Sequence, residues 1–463
     1  MKLHHGGAWP CSIIGPMKNL IDHPLYEQHL QKLEIRWQQA LEANRFDAAV
    51  ILAGTGSPYF LDDQAAPFRP NPHFAQWFPQ RDCADSALLI RPGTKATLLF
   101  YSPQDYWHQP APLPDWSSAF NVQTFDSEAA LQEALADHLT RTPHTAVIGD
   151  QSSTQNLAGS YNPPGLLNHL HYYRAWKSPF ELEAMRQASS LAARGHNAAA
   201  RCFADGGSEF QIHLAYLGAA GQIPEELPYS SIVAINEHAG VLHYQHYDRA
   251  LPIEARSFLI DAGATAHGYA ADVTRSYAAT GESLYHSLIE ALDEAQLALI
   301  ADIRPGQAYL NLHKTMHLQI SRILADHQLI TCSPEAAVSN GVSQAFLPHG
   351  LGHLIGLQTH DVGGQQLNPS GEQAPPPAEY PALRMTRELS PDMVFTIEPG
   401  IYFIPMLLDE LRAGSAAEDV NWPVLETLLG CGGIRIEDNI VVTDGEPENL
   451  TRDAFAELAS KSG

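Results

Sequence analysis

The segment SFLIDAGATAHGYAADVTRSY, Ser257–Tyr277, sets the hardest constraint on the fold of this chain. It reads as two apolar strands around a turn at Ala266-His267. With that turn, Asp261 and Asp272 face each other directly across the hairpin and on the same side. Like charges opposite one another repel. Carboxylates in an apolar sheet also cost several kcal/mol unless something compensates them. A divalent cation between them is the simplest compensation; exposure of one aspartate, or a proton shared by the two, would also relieve the pair.

Two further acids sit on strand-like runs. VFTIEPG carries Glu398, and Pro399 ends that strand's hydrogen bonding. GGIRIEDNIVV carries Glu437, and period-two alternation puts Arg435 on its face and Asp438 on the other. Taken singly, each acid could equally be a strand-end group in solvent or half of an Arg–Glu pair. FLPHGLGHLIGLQTHD adds His349, His353 and His360. A spacing of four would set the first two imidazoles on one helical face, as in zinc sites. Gly350 and Gly352 lie between them, however, and glycine is a poor helix interior.

The 463 residues suggest two or three domains and suffice for large cores. A formal net charge of −25 argues against nucleic acid or an anionic membrane as partner. The five cysteines, Cys11, Cys83, Cys202, Cys332 and Cys431, contain no CxxC pair, which fits a reducing cytoplasm rather than a disulfide framework or thiolate zinc site. No apolar run approaches the ~18 residues of a membrane span. Residues 1–16 lack a signal-peptide core and are expected to be a disordered extension.

From about 24 to 150 the pattern alternates as in a small α/β domain, which is assigned residues 17–170. It has an amphipathic helix, the strand DAAVILAG, a hairpin turning at Pro92-Gly93, a helix near 127–140 and the strand TAVIGD. FLDDQAAPFRPNPHFAQWFP reads as a surface loop, either functional or merely packed by its own aromatics. GSYNPPGLLNH reads as a linker. After it, Ser178 caps a long helix that should run to about Asp205, with Pro179 at its first position and Glu181 completing a capping box. Residues 171–463 form the second domain, and EQAPPPAEYP is a loop within it.

In this order the pieces closely resemble the pita-bread metallopeptidases, and within them the bacterial Xaa-Pro dipeptidases (prolidases) and organophosphorus acid anhydrolases. The resemblance is carried by FLDD, NPHFAQW, LHYYRAWK, VLHYQHYD, HGLGHLIGLQTHDVGG, TIEPGIYFI and CGGIRIEDN, and covers nearly all of the chain from Met17. It implies a creatinase-like α/β N-terminal domain, an α+β pita-bread catalytic domain, a homodimer and two divalent ions per subunit, Mn²⁺ or alternatively Co²⁺. Asp261 would bind one ion, His353 and Glu398 the other, with Asp272 and Glu437 bridging. Four carboxylates and two divalent ions would then neutralise one another, and oxygen-rich ligation with one imidazole suits Mn²⁺ better than a thiolate-type zinc site.

The resemblance further implies that Glu398 also carries protons and that His243 and His360 orient substrate and stabilise the oxyanion. His246 stays an ordinary polar residue. His349 and Arg435 would hold a free C-terminal carboxylate, for which a guanidinium has the right shape; Arg435 could instead only pair with a cluster acid. Tyr229, Leu242 and Tyr309 would line the pocket, and Asp63 would come from the partner subunit to meet the substrate amino group. Thr359 stands where related sequences usually carry valine. The expected reaction is hydrolysis of Xaa-Pro dipeptides. Alternatives are an Xaa-Pro aminopeptidase acting on longer peptides, promiscuous phosphotriester hydrolysis, and a metal-free binding scaffold.

Overall fold

The structure is a computed structural model and describes residues 19–21, 23–150 and 157–462; the extension expected at 1–16 lies outside them. The N-terminal α/β domain is a six-stranded mixed sheet in the order β4-β3-β2-β1-β5-β6. Its strands are β1 (Ala48–Leu52), β2 (Ala87–Ile90), β3 (Thr97–Tyr101), β4 (Asn121–Phe125), β5 (Thr145–Ile148) and β6 (Ser160–Tyr161). β1 and β2 are buried at every position, as their unbroken apolar runs require. Helix α1 (Pro24–Asn44) covers one face with Leu30, Leu33, Trp37 and Leu41, and helix α3 (Glu128–Arg141), capped by Ser127, covers the other with Leu131, Leu135 and Leu139.

Two sequence expectations change here. The aromatic loop contains a helix, α2 (Pro72–Trp77), capped by Asn71, and residues His73–Trp77 are buried, so this stretch is partly core. The segment expected to be a linker is ordered: it supplies edge strand β6 and a helix, Pro164–Arg174, started by Pro163-Pro164. Proline fixes the φ of a first helical turn and loses nothing there by lacking an N–H.

The pita-bread α+β domain begins with the long helix Pro179–Ala204, whose Ser178–Glu181 capping box forms as the sequence indicates. Two small antiparallel units follow. One is β11-β8-β7, built from β7 (Ile232–Ile235), β8 (Ser257–Asp261) and β11 (Thr274–Ala278); the other is β12-β15-β16, built from β12 (Val394–Ile397), β15 (Asp438–Val441) and β16 (Glu448–Asn449). A two-stranded ribbon pairs β13 (Gly400–Tyr402) with β14 (Gly433–Arg435). An isolated bridge between Thr274 and Glu437 joins the two halves, with Glu437 N donating to Thr274 O at 3.0 Å.

The hairpin register differs from expectation. β9 (Thr265–Ala266) pairs with β10 (Tyr269–Ala270), so the turn is His267-Gly268, with φ of 49° and 82°. A two-residue turn of this hand needs positive φ twice, which Gly268 accepts freely and an alanine at 266 would resist. Asp261 therefore pairs with Thr274, and Asp272 lies diagonally, two residues away on the same face. Among the described residues no helix is long and apolar enough to cross a membrane.

Candidate metal centre and active-site cavity

Asp261 ends β8 and Asp272 precedes β11, both at the seam between the two halves of the domain. Tyr229 bridges them: its hydroxyl donates to Asp261 Oδ1 at 2.7 Å and also contacts Asp272 Oδ1. From the other half come Glu398, just after β12, and Glu437, just before β15. Glu437 Oε2 accepts from Thr274 Oγ1 at 2.8 Å. Asp272, His353 and Glu437 are buried, and each offers a ligand atom within 4.8 Å of the others. His353 Nε2 lies 3.6 Å from Asp272 Oδ2 and 3.5 Å from Glu398 Oε1. All five residues expected as ligands thus converge.

The HGLGH segment reaches this cluster without a helix. His353 N donates to Thr396 Oγ1 at 3.1 Å, Thr396 N to His353 O at 2.9 Å, and Glu398 N to Leu351 O at 2.8 Å, so the loop runs beside β12. A Cβ on Gly352 would collide with Thr396 O and the Tyr309 hydroxyl, and one on Gly350 would meet Leu383 Cα at 3.0 Å. Glycine at both positions lets the loop lie directly on the strand.

The electrostatics fit a cation site. Burial pushes the Asp272 carboxyl well above its ordinary range, reinforced by Asp261. Burial does the same to Glu437, reinforced by Asp272 and Glu398, and raises Glu398 to about 8. Burial lowers His353 to about 3, keeping the imidazole neutral and free to ligate. Mutually repelling buried carboxyls beside a neutral imidazole are what divalent cations relieve, and the oxygen-rich donor set suits hard or borderline ions.

The cluster forms one wall of a cavity of about 1230 Å³ that extends to Arg69, His73 and His171 of the N-terminal domain. Tyr229, Leu242, His243, His349, His360 and Arg435 line it. His360 packs edge-on to His353 with ring centroids 4.4 Å apart. Arg435 is 4 % exposed; its Nη2 donates to Asp261 Oδ2 and its Nη1 to the Tyr402 hydroxyl, each at 2.8 Å. His349 Nε2 lies 2.8 Å from the same hydroxyl. Burial lowers His349 and His360 to about 4.

Tyr309 is not brought to the cavity. Its ring is fully buried and its hydroxyl donates to Thr396 O at 2.8 Å, so it supports the wall from behind. Asp63 is exposed and does not line its own chain's cavity. His246 is exposed as well.

Sequence reading missed two supporting groups. Tyr402, between Gly400 and Gly433, joins His349 to Arg435 through one hydroxyl. Asp361, directly after His360, accepts from Arg174 Nε at 2.9 Å and Lys177 Nζ at 3.1 Å. The motif LHYYRAWK was in view, but not the acid its cations hold.

Comparison with known proteins decides the family. Residues 183–444 match the model of Metallopeptidase family M24. The chain belongs to that family. Residues 24–172 match the model described as Xaa-Pro dipeptidase, N-terminal domain. This M24 protein is 48% identical over 438 residues to an Xaa-Pro dipeptidase of Xanthomonas campestris pv. campestris (strain 8004), covering 93% of this chain and 98% of the relative. It is 45% identical over 434 residues to an Xaa-Pro dipeptidase of Stenotrophomonas maltophilia (strain K279a), covering 93% and 97%. Among solved structures, proline aminopeptidase P II from Yersinia pestis superposes with a TM-score of 0.67 at 22% identity, covering 93% of this chain and 99% of that one. This likeness shows the same fold. With its ligands assembled, the protein is a metal-dependent hydrolase of the M24 family.

Proposed function

We propose that the protein is a dinuclear-metal dipeptidase that cleaves the Xaa-Pro bond of dipeptides with a C-terminal proline. The observation that carries this reading is the 48% identity to an Xaa-Pro dipeptidase over 98% of that protein's length, N-terminal domain included. That domain walls one side of the cavity. Asp261, Asp272, His353, Glu398 and Glu437 would hold two divalent ions, Mn²⁺ by preference and Co²⁺ as an alternative. When bound, these ions supply Lewis-acid activation of water and of the scissile carbonyl.

The chain's own groups do the rest. Glu398, beside His353 at the edge of the cluster, takes a proton from the attacking water and returns it to the leaving nitrogen. His243 and His360 flank the cluster from two different loops and orient the carbonyl that becomes the oxyanion. Arg435 has two of its five N–H groups uncommitted after its bonds to Asp261, Tyr402 and Thr274. With His349 it receives the proline carboxylate, while Tyr229 and Leu242 shape the wall. Asp63, from the partner of a homodimer, meets the substrate amino group and limits length to two residues. The setting is the cytoplasm, with no nucleic acid or membrane partner.

The cavity volume favours one second reading. About 1230 Å³ exceeds the roughly 300–1,000 Å³ of a pocket for a drug-sized ligand, leaving space for longer peptides unless a second subunit fills it. Hydrolysis of Leu-Pro compared with Leu-Pro-Ala separates the two. Dipeptide preference is expected, and efficient tripeptide cleavage would make the protein an aminopeptidase instead. Slow turnover of a paraoxon-like phosphotriester is a further expectation of the dinuclear site; no turnover by Mn²⁺-loaded protein would remove it.

A further inference from the structure

Glu209, near the start of the helix Glu209–Ala220, is 2 % exposed and pairs with no lysine or arginine among the described residues. Its two oxygens accept four hydrogen bonds. Oε1 takes Ile235 N at 2.9 Å and His238 Nδ1 at 2.7 Å; Oε2 takes Tyr244 Oη at 2.9 Å and Asp248 N at 2.8 Å. Ile235 ends β7 and Asp248 ends the excursion that follows, so a single carboxylate clasps both ends of that loop. The next residue of the same helix turn adds to the clasp, with Phe210 N donating to Asp248 O at 3.1 Å. Within the loop Tyr244 stacks on His238 at 4.4 Å between ring centroids. Between these anchors lie Leu242 and His243, the two loop residues proposed above to meet substrate.

We infer that Glu209 is a positioning residue for His243: it closes the 235–248 loop into an Ω-shaped unit and fixes where the imidazole stands in the cavity. This rests on the role given to His243 under the proposed function. Glu209, His238 and Asp248 also offer ligand atoms within 4.8 Å of one another, the spacing of a cation site. All four acceptor positions of the Glu209 carboxylate are already filled by donors, however, so the geometry is that of a hydrogen-bond hub. Replacing one oxygen by an amide N–H₂ sets donor against donor on one side and releases one end of the loop.

Four proteins test this: wild type, Glu209→Gln, His243→Ala and the double variant, each loaded with Mn²⁺ and assayed on Leu-Pro. Glu209→Gln is expected to lower kcat tenfold or more with KM within threefold, and to cause no further loss in the His243→Ala background. Hydrogen exchange at the Ile235 and Asp248 amides should accelerate in the same variant. Should Glu209→Gln fold poorly, Tyr244→Phe removes one donor only, and its smaller loss should also vanish beside His243→Ala.

An equal fold-loss in both backgrounds would overturn the inference and leave the dipeptidase reading intact. A fully active His243→Ala would overturn the role of His243 and the inference with it. Binding of one extra Mn²⁺ equivalent that disappears in His238→Ala would replace the hub by a metal site.

Discussion

Replacing Asp361 by asparagine tests whether the joint between the two domains holds the catalytic loop. Asp361 is buried, as are Arg174 and Lys177. Arg174 Nε donates to Oδ1 at 2.9 Å, Lys177 Nζ to Oδ2 at 3.1 Å, and Val362 N to Oδ1 at 3.0 Å. Burial works against ionisation, but the two cations outweigh it and draw the carboxyl from 3.8 to about 2. That depression contributes roughly 2 kcal/mol at neutral pH. Because the folded value is lowered, the contribution is complete above about pH 4 and is lost as the pH falls towards 2.

Asp361→Asn removes this contribution and also leaves two buried cations without their anion, which raises the expected loss at pH 7 to about 3–5 kcal/mol. Urea unfolding of both proteins, followed by near-UV circular dichroism and tryptophan fluorescence, measures the difference. The gap should narrow between pH 4 and 2. Because His360 is the preceding residue, kcat on Leu-Pro should fall as well. A variant within 0.5 kcal/mol of wild type at pH 7 would refute the reasoning, since surface substitutions alone reach that figure.

Three further outcomes are expected. His353→Ala should lose bound metal together with activity, His349→Ala should mainly raise KM, and His360→Ala should mainly lower kcat; equal metal loss in all three, read by elemental analysis, would refute this division. Gly352→Ala should impair metal binding although glycine carries no functional group, because its Cβ would strike Thr396 O; unchanged metal affinity would count against the close loop–strand contact. Chelation should lower the unfolding temperature and Mn²⁺ should restore it, because the ions relieve repulsion among Asp272, Glu398 and Glu437. At a hundredfold excess over Kd this linkage amounts to about 2.7 kcal/mol, and an unfolding temperature indifferent to chelator would exclude a stabilising ion.

Local chemistry made much of this architecture legible. The Ser178–Glu181 capping box, the turn at Pro92-Gly93 and the unbroken apolar runs of β1 and β2 announce their elements because neighbouring residues determine them. The shared face of Asp261 and Asp272 was legible from period two. Their register was not, because Gly268 and His267 take the turn and shift the pairing by two residues without changing the face. The Pro163-Pro164 stretch was mistaken for a linker because the same residues that break chains also start helices. Tyr402, Asp361 and Glu209 stayed hidden for another reason. The partners of Tyr402 lie 53 and 33 positions away, those of Asp361 up to 187, and no local pattern records such contacts. Tyr309 was misplaced because a tyrosine in a pocket wall and one behind it leave the same trace in sequence.

The central claim is that five side chains, four from the two half-sheets and His353 from the HGLGH loop, hold two ions and use them on Xaa-Pro dipeptides. Titrating metal-free protein with Mn²⁺ while measuring Leu-Pro hydrolysis tests it most directly. Activity should rise with bound metal and saturate at two ions per subunit, and Glu437→Gln should abolish both. Hydrolysis that is unaffected by complete metal removal, or a fully loaded protein inert towards every Xaa-Pro dipeptide, would contradict it.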